Sequence, residues 1–266
     1  MIASRTMSLV VLVLSWCAST ATADEPCFRS LSNGRDLAGW EGATALASAS
    51  WKVEDGAIVC TGQKGTWLRS REQFGDFNLR FEYRLRPGGN SGIYLRVPAD
   101  GAHREGGGAE VQLLDDGAAR YRKLKPAQYC GSIYLVVPAG QHVSRPSGEW
   151  NTMEINCCGP SYRVVHNGVV IVDATARDYP ELGRRFRRGY LGLQNHDEEV
   201  WFRHLRIGPP QPPPRSETLA AAGGLLRRSH GSSVQVTCCE GDSSNATFSR
   251  GHRRRGGFWR GRRALR

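Results

Sequence analysis

The chain has 266 residues, 39% of them hydrophobic, and a formal net charge of +11. That length allows a sizeable core, and the mixed composition excludes a coiled coil, a multi-span membrane protein and a wholly disordered chain. The charge would suit a nucleic-acid binder, but it sits at one end. Residues 211–266 hold eleven Arg, no Lys and three acids, whereas 24–210 hold 24 basic against 22 acidic residues.

At the N-terminus, Arg5 precedes an apolar run at 9–14 and a small-residue stretch ending Ala21-Thr22-Ala23. A charged start, a short apolar stretch and an A-x-A site have the form of a cleavable export signal, with cleavage after Ala23. The run is too short to span a bilayer. Trp16, directly ahead of Cys17, stands where lipoprotein processing wants a small residue. Residues 1–23 are therefore expected to be a leader, and the mature chain to be periplasmic or extracellular. Seven Cys remain after cleavage; the number is odd and no CxxC pair occurs, which argues against a zinc knuckle. Cys157 and Cys158 on one strand would face opposite ways, so they read as a buried small apolar residue and a spare thiol. A Cys27–Cys60 bridge is open at this level.

Between 51 and 207 the pattern is one of short strands separated by Gly, Pro and Asp. Residues 77–85 alternate strictly, with Phe77, Leu79, Phe81, Tyr83 and Leu85 on one face and Asn78, Arg80, Glu82 and Arg84 on the other. Further strands are expected at 91–97, 109–114, 150–157, 162–166, 169–172, 189–194 and 199–207. Asn167-Gly168 between two apolar runs signals a hairpin, because both turn positions want positive φ. No long amphipathic helix is visible. The expected fold is an all-β antiparallel sandwich of jelly-roll type spanning 24–208.

The pattern stops at the Pro-rich stretch 209–214. The Ala/Gly/Ser/Arg-rich remainder, to 266, cannot bury enough apolar surface to offset its ordering entropy and reads as a solvated basic tail. Phe258 and Trp259 within its Arg/Gly tract would be the only basis for nucleic-acid binding.

Strand alternation also sorts the polar residues. Glu110 and Gln112 share a face, with Val111 and Leu113 on the other. Tyr94 and Arg96 share one, as do Gln194 and His196 if that strand extends far enough. A sheet face carrying Glu, Gln, Arg and His suits a polyhydroxylated ligand, because planar amides, carboxylates and guanidinium groups offer paired hydrogen bonds to vicinal hydroxyls. An ordinary solvated sheet face is the plain alternative. Trp40 and Trp51 read as core rather than as sugar-stacking platforms.

Asn33-Gly-Arg-Asp-Leu-Ala-Gly-Trp40, Trp51-Lys-Val-Glu-Asp-Gly56, Phe74-Gly-Asp-Phe77, Asn90-Ser-Gly-Ile-Tyr-Leu-Arg96 and Glu110-Val-Gln112 occur in that order. Trp150-Asn151, Asn167-Gly168, Gly192-Leu-Gln194 with His196, and Phe202-Arg203 follow. Together these motifs resemble the 3-keto-disaccharide hydrolase family over residues 28–207. The resemblance implies a concanavalin A-like jelly roll and an exported enzyme acting on glycosides already oxidised to a ketone at carbon 3. Such a ketone acidifies the hydrogen on carbon 2, so a base can remove it and the aglycone can leave by β-elimination. Water then adds to the 2-hydroxy-3-keto-glucal. This route differs from that of ordinary glycosidases, which place two carboxylates around an oxocarbenium ion.

The elimination needs a base near carbon 2 and donor or positive character at the enolate oxygen. On the resemblance His196 is the base candidate, Glu110 the alternative base or a metal ligand, and Arg96 the oxyanion partner. Glu110, Gln112 and His196 would hold a divalent ion, if one is used. Asn90, Tyr94, Gln112 and Gln194 would meet sugar hydroxyls, while Asp115 would orient a ligand or cap the turn at 115–117. The chain departs from the family pattern at Asp197, where Gly is expected, and at His204, where Asn is. The competing expectation is a non-catalytic carbohydrate-binding jelly roll.

Overall fold

The computed structural model describes residues 27–103 and 107–211, all within the first of two compact units, Met1–Ala221. The leader and nearly all of the basic tail, including the second unit Ala222–Arg266, lie outside the described residues. Strands run in the order β1 (Arg29–Ser30), β2 (Trp40–Gly42), β3 (Trp51–Glu54), β4 (Ala57–Thr61), β5 (Leu68–Phe74), β6 (Phe77–Leu85) and β7 (Asn90–Val97). They continue with β8 (Ala109–Leu114), β9 (Asn151–Cys158), β10 (Ser161–His166), β11 (Val169–Ala174), β12 (Gly189–Leu193) and β13 (Glu199–Gly208). One short helix, α1 (Pro180–Gly183), lies between β11 and β12.

Every pairing is antiparallel, and the strands form two sheets, a jelly-roll-type sandwich. The larger sheet has the order β11-β10-β9-β6-β13-β4-β3, with β1 on β13, and the smaller the order β2-β5-β12-β7-β8. Alternation dictates the layering. On β6 the five apolar residues of one face are all 5% exposed or less, while Arg80, Glu82 and Arg84 are half-buried on the other. The smaller sheet contributes Leu68, Ile93, Leu95, Val111, Leu113, Leu191 and Leu193 to the same core. Trp40 and Trp51 are core residues whose ring N–H groups donate to Leu31 O at 2.7 Å and Thr66 O at 2.8 Å. At the β10–β11 turn, Asn167 and Gly168 have φ of 48° and 81°, as a two-residue hairpin requires.

Cys157 is fully buried and its neighbour Cys158 half-buried, as opposite faces of a strand demand. Cys60 is a free thiol buried in the core, so no bridge joins it to the exposed Cys27. A polar chain crosses the interior beneath β6 and β10. The Tyr83 hydroxyl lies 3.0 Å from His166 Nε2 and 3.2 Å from Cys130 Sγ. Burial pushes the Cys130 thiol up to about 11 and pulls His166 down to about 4.

Candidate functional site

Register places one row of residues across the outer face of the smaller sheet. Glu41 is opposite Arg69, Arg69 opposite Gly192, Gly192 opposite Tyr94, and Tyr94 opposite Glu110. In the adjoining row Gly92 faces Gln112, and Gln194 joins it by donating its N–H to Gly92 O at 2.9 Å. Two glycines leave room for larger neighbours. A Cβ on Gly92 would come within 2.3 Å of Glu110 Oε1, and one on Gly192 within 2.5 Å of the Trp67 ring.

Glu110 is only 2% exposed, and its Oε2 lies 3.2 Å from His103 Nε2. His103 comes from the loop that follows β7. Its ring stacks on Tyr94, 4.8 Å between centroids and 13° from parallel, and Trp67 meets the same tyrosine edge-on at 5.3 Å. His103 Nδ1 faces Gly101 O at 3.1 Å. A carbonyl only accepts, so Nδ1 carries a hydrogen and Nε2 is the nitrogen turned to the carboxylate. A buried carboxylate set against an imidazole in this way forms a unit able to take up a proton and give it back.

The His103 loop is pinned from several sides. Arg185 Nη1 donates to His103 O at 2.9 Å and to Gly108 O at 3.1 Å, and Phe186 N–H donates to Gly107 O at 3.0 Å. Arg69 Nη1 holds Ala99 O at 3.1 Å, and Gly101, with φ of 79°, lies flat against the Trp67 ring. Beside the loop opens a cleft of about 760 Å³ walled by His103, Tyr134, Leu135, Val136, Glu181 and Arg185. That volume suits a small organic ligand.

Of the residues singled out from sequence, Asn90, Tyr94, Glu110, Gln112 and Gln194 come together on this face. Gln112 Nε2 donates to Asn90 Oδ1 at 2.7 Å, and Gln194 Nε2 to the Tyr94 hydroxyl at 3.1 Å. Gln194 Oε1 is buried with no hydrogen-bond partner.

Arg96 is elsewhere, which corrects the expectation that it shares a face with Tyr94. Between Tyr94 and Val97 the register against β12 slips by one residue, and Arg96 takes φ of 53° at that bulge. The bulge turns the side chain away from the Tyr94 row. Its guanidinium is fully buried and donates to Gly75 O at 2.7 Å, Gly159 O at 2.8 Å and Asp76 Oδ1 at 2.8 Å, between the rings of Phe77 and Tyr162. These contacts make it a structural strut.

β12 ends at Leu193, and His196 stands exposed on a turn whose next residue, Asp197, has φ of 58°. The Asp115 carboxylate accepts from Gly88 N–H at 2.7 Å, which ties its turn to the one before β7.

Among the described residues no three His, Cys, Asp or Glu side chains are grouped as ligands. Glu110 is engaged by His103, Gln112 by Asn90, and His196 lies on its exposed turn. Sequence reasoning missed His103, Trp67 and Arg185. His103 sits in a Gly-rich loop with no periodicity to assign it a face, and the one available signal was a His in a long inter-strand connection.

Residues 27–208 match a family model described as a 3-keto-alpha-glucoside-1,2-lyase-like domain. A 3-keto-disaccharide hydrolase of Bacteroides thetaiotaomicron is 25% identical over 221 residues, which cover 66% of this chain and 76% of that protein. Among solved structures, a protein of Parabacteroides distasonis described as a glycosyl hydrolase superposes with a TM-score of 0.61 at 22% identity, over 70% of this chain and 94% of that one. A second from the same organism gives 0.54 at 26% identity, over 69% and 84%.

Proposed function

The chain belongs to the 3-keto-alpha-glucoside-1,2-lyase-like domain family, and from that premise we propose that it is an exported enzyme cleaving 3-keto-glycosides by β-elimination and hydration. The observation that carries the reading is the His103–Glu110 pair at 3.2 Å beside a cleft. Export rests on the form of residues 1–23.

In the proposed reaction the pair acts at carbon 2. The C2–H bond breaks, its proton passes to the His103–Glu110 unit, and its electrons form a C1=C2 double bond as the C1–O bond breaks. The unit then returns the proton to the departing oxygen. Addition of water, hydroxyl to carbon 1 and hydrogen to carbon 2, completes a net hydrolysis. His103 lines the cleft and is the member that meets substrate, while the buried Glu110 offsets the charge that the imidazole gains. Tyr134 lines the same cleft and offers a hydroxyl donor for the developing enolate oxygen. Gln194 Oε1, buried without a partner, suits a sugar hydroxyl donor.

The test uses the full chain with a 3-keto-disaccharide and a 3-keto-β-glucoside, following release of free sugar. His103→Gln and Glu110→Gln should each lower kcat by roughly a hundred-fold or more, the usual scale of general acid–base catalysis. His196→Gln should stay near wild type, and so should protein dialysed against a chelator. Loss of turnover in His196→Gln with His103→Gln unaffected would move the base back to His196. No turnover by folded wild-type protein on any 3-keto-glycoside would instead favour a carbohydrate-binding module.

A further inference from the structure

The cleft beside His103 adjoins the sheet face through His103 itself, whose ring stacks on Tyr94 and faces Glu110. On that face the amides of Asn90, Gln112 and Gln194 and the Tyr94 hydroxyl bond to one another in pairs. Away from it, beyond the edge strand β8, the chain at 133–137 folds into a tight turn that bridges Val111 to Ile133 and Ile133 to Val137. The tip of that turn is Leu135, with φ of 61° and 48% exposure, and both it and Val136 wall the cleft.

A bulky side chain in the left-handed region is an outlier that costs backbone energy. Leu135 stays there because its N–H donates to Ala127 O at 2.9 Å and the turn closes through Val136 N–H to Ile133 O at 2.9 Å. An Asn or Gly would hold the same turn with less strain. What leucine adds is apolar surface facing the cleft. Only four large hydrophobic residues stand exposed among the described residues. One of them, Leu135, walls the cleft, and another, Phe186, follows the cleft residue Arg185 in sequence and bonds Gly107 at the far end of the His103 loop.

We propose that the cleft walled by Leu135 and Val136 is an aglycone subsite for a flat apolar group, so that the chain prefers aryl 3-keto-glycosides to 3-keto-disaccharides. The inference rests on the reaction proposed above and names the leaving group. His103 touches both the polar sheet face, through Tyr94 and Glu110, and the cleft that Leu135 walls. A group acting at carbon 2 needs that position, because the sugar lies to one side of it and the substituent on carbon 1 to the other. A second sugar would leave Leu135 against hydroxyls, whereas an aryl ring would take it out of water.

The experiment compares p-nitrophenyl 3-keto-β-glucoside with a 3-keto-disaccharide in wild type, Leu135→Asn and Leu135→Met. Wild type should favour the aryl substrate about ten-fold in kcat/KM, the scale set by one apolar contact in a pocket. Leu135→Asn, which suits the backbone, should fold normally and erase that preference through a fall in kcat/KM on the aryl substrate. Leu135→Met should keep the preference. Equal or greater turnover of the disaccharide by wild type, or an equal loss on both substrates in Leu135→Asn, overturns the aglycone subsite while leaving the reaction intact. If wild type turns over neither, the reaction itself has failed, and binding of unoxidised p-nitrophenyl β-glucoside decides the subsite. Weaker binding in Leu135→Asn supports it, and unchanged or absent binding overturns it.

Discussion

Glu110 owes its position to a residue that has no side chain. Gly92 lies across the ladder from Gln112, one row from Glu110, and its bare Cα leaves the space that Glu110 Oε1 occupies. A methyl group there would meet the Glu110 carboxylate at 2.3 Å, closer than real Cβ contacts come. The glutamate would have to swing away, and its contact with His103 would be disturbed with it. Gly92→Ala should therefore lower kcat by about ten- to a hundred-fold, the reach of a small misplacement of a reacting group, with little change in Tm. Activity and thermal melts on one preparation check this; a large fall in Tm with kcat per folded molecule intact would assign the glycine to folding alone. Arg96 presents the opposite case. Its position in the Tyr94-to-Arg96 motif suggested chemistry, yet all its described hydrogen bonds go to protein carbonyls and Asp76.

At the scale of elements, the sheet supplies a floor and the loop after β7 supplies the proton carrier. The loop stays in place because Arg185, just beyond α1, bonds two of its carbonyls at once. Both bonds leave Nη1, which the rigid guanidinium plane holds between the two carbonyls; a lysine ammonium on its flexible stem lacks that fixed direction. Arg185→Lys and Arg185→Ala should both lower kcat, by roughly ten-fold, and shift the pH–rate profile, because the His103–Glu110 spacing depends on the loop. If Arg185 were merely a substrate contact, KM would rise while the pH profile stayed fixed, and the comparison of the two variants separates these cases.

The same contrast explains what was legible beforehand. The strands on both inner faces were visible because a period of two is a direct consequence of one face being buried, as β6 shows residue by residue. Glu110, Gln112 and Tyr94 were found for that reason. Alternation failed at Arg96 and His196 for two physical causes: a bulge inserts one residue into β7, and β12 stops at Leu193. His103 was invisible to periodicity, since its place is fixed by Arg185, Trp67 and Gly101, residues from three separate parts of the chain.

The whole sandwich carries a second polar assembly, buried between its sheets, that bears on stability rather than on chemistry. His166 is 1% exposed, and its described contact is the Tyr83 hydroxyl, itself against Cys130. With the Cys130 thiol and the Tyr83 phenol both pushed up by burial, the chain is neutral throughout, and no carboxylate faces the imidazole to welcome a proton. Burial alone lowers His166 from 6.5 to about 4. Above pH 6.5 the ring is neutral whether folded or unfolded, and it contributes nothing to pH dependence. Between 6.5 and about 4 the unfolded chain binds a proton that the folded one refuses, so stability falls as the pH falls. Integrated across that window the loss is about 3 kcal/mol, at 1.36 kcal/mol per unit. His166→Gln keeps a hydrogen-bonding group beside Tyr83 but cannot titrate. Denaturant unfolding at pH 7 and pH 4.5 should show wild type losing about 2 kcal/mol more than the variant over that interval, carboxylate effects being common to both. Parallel losses in the two proteins would mean that His166 finds its proton in the folded state as easily as out of it, through local opening of the β9–β10–β11 edge.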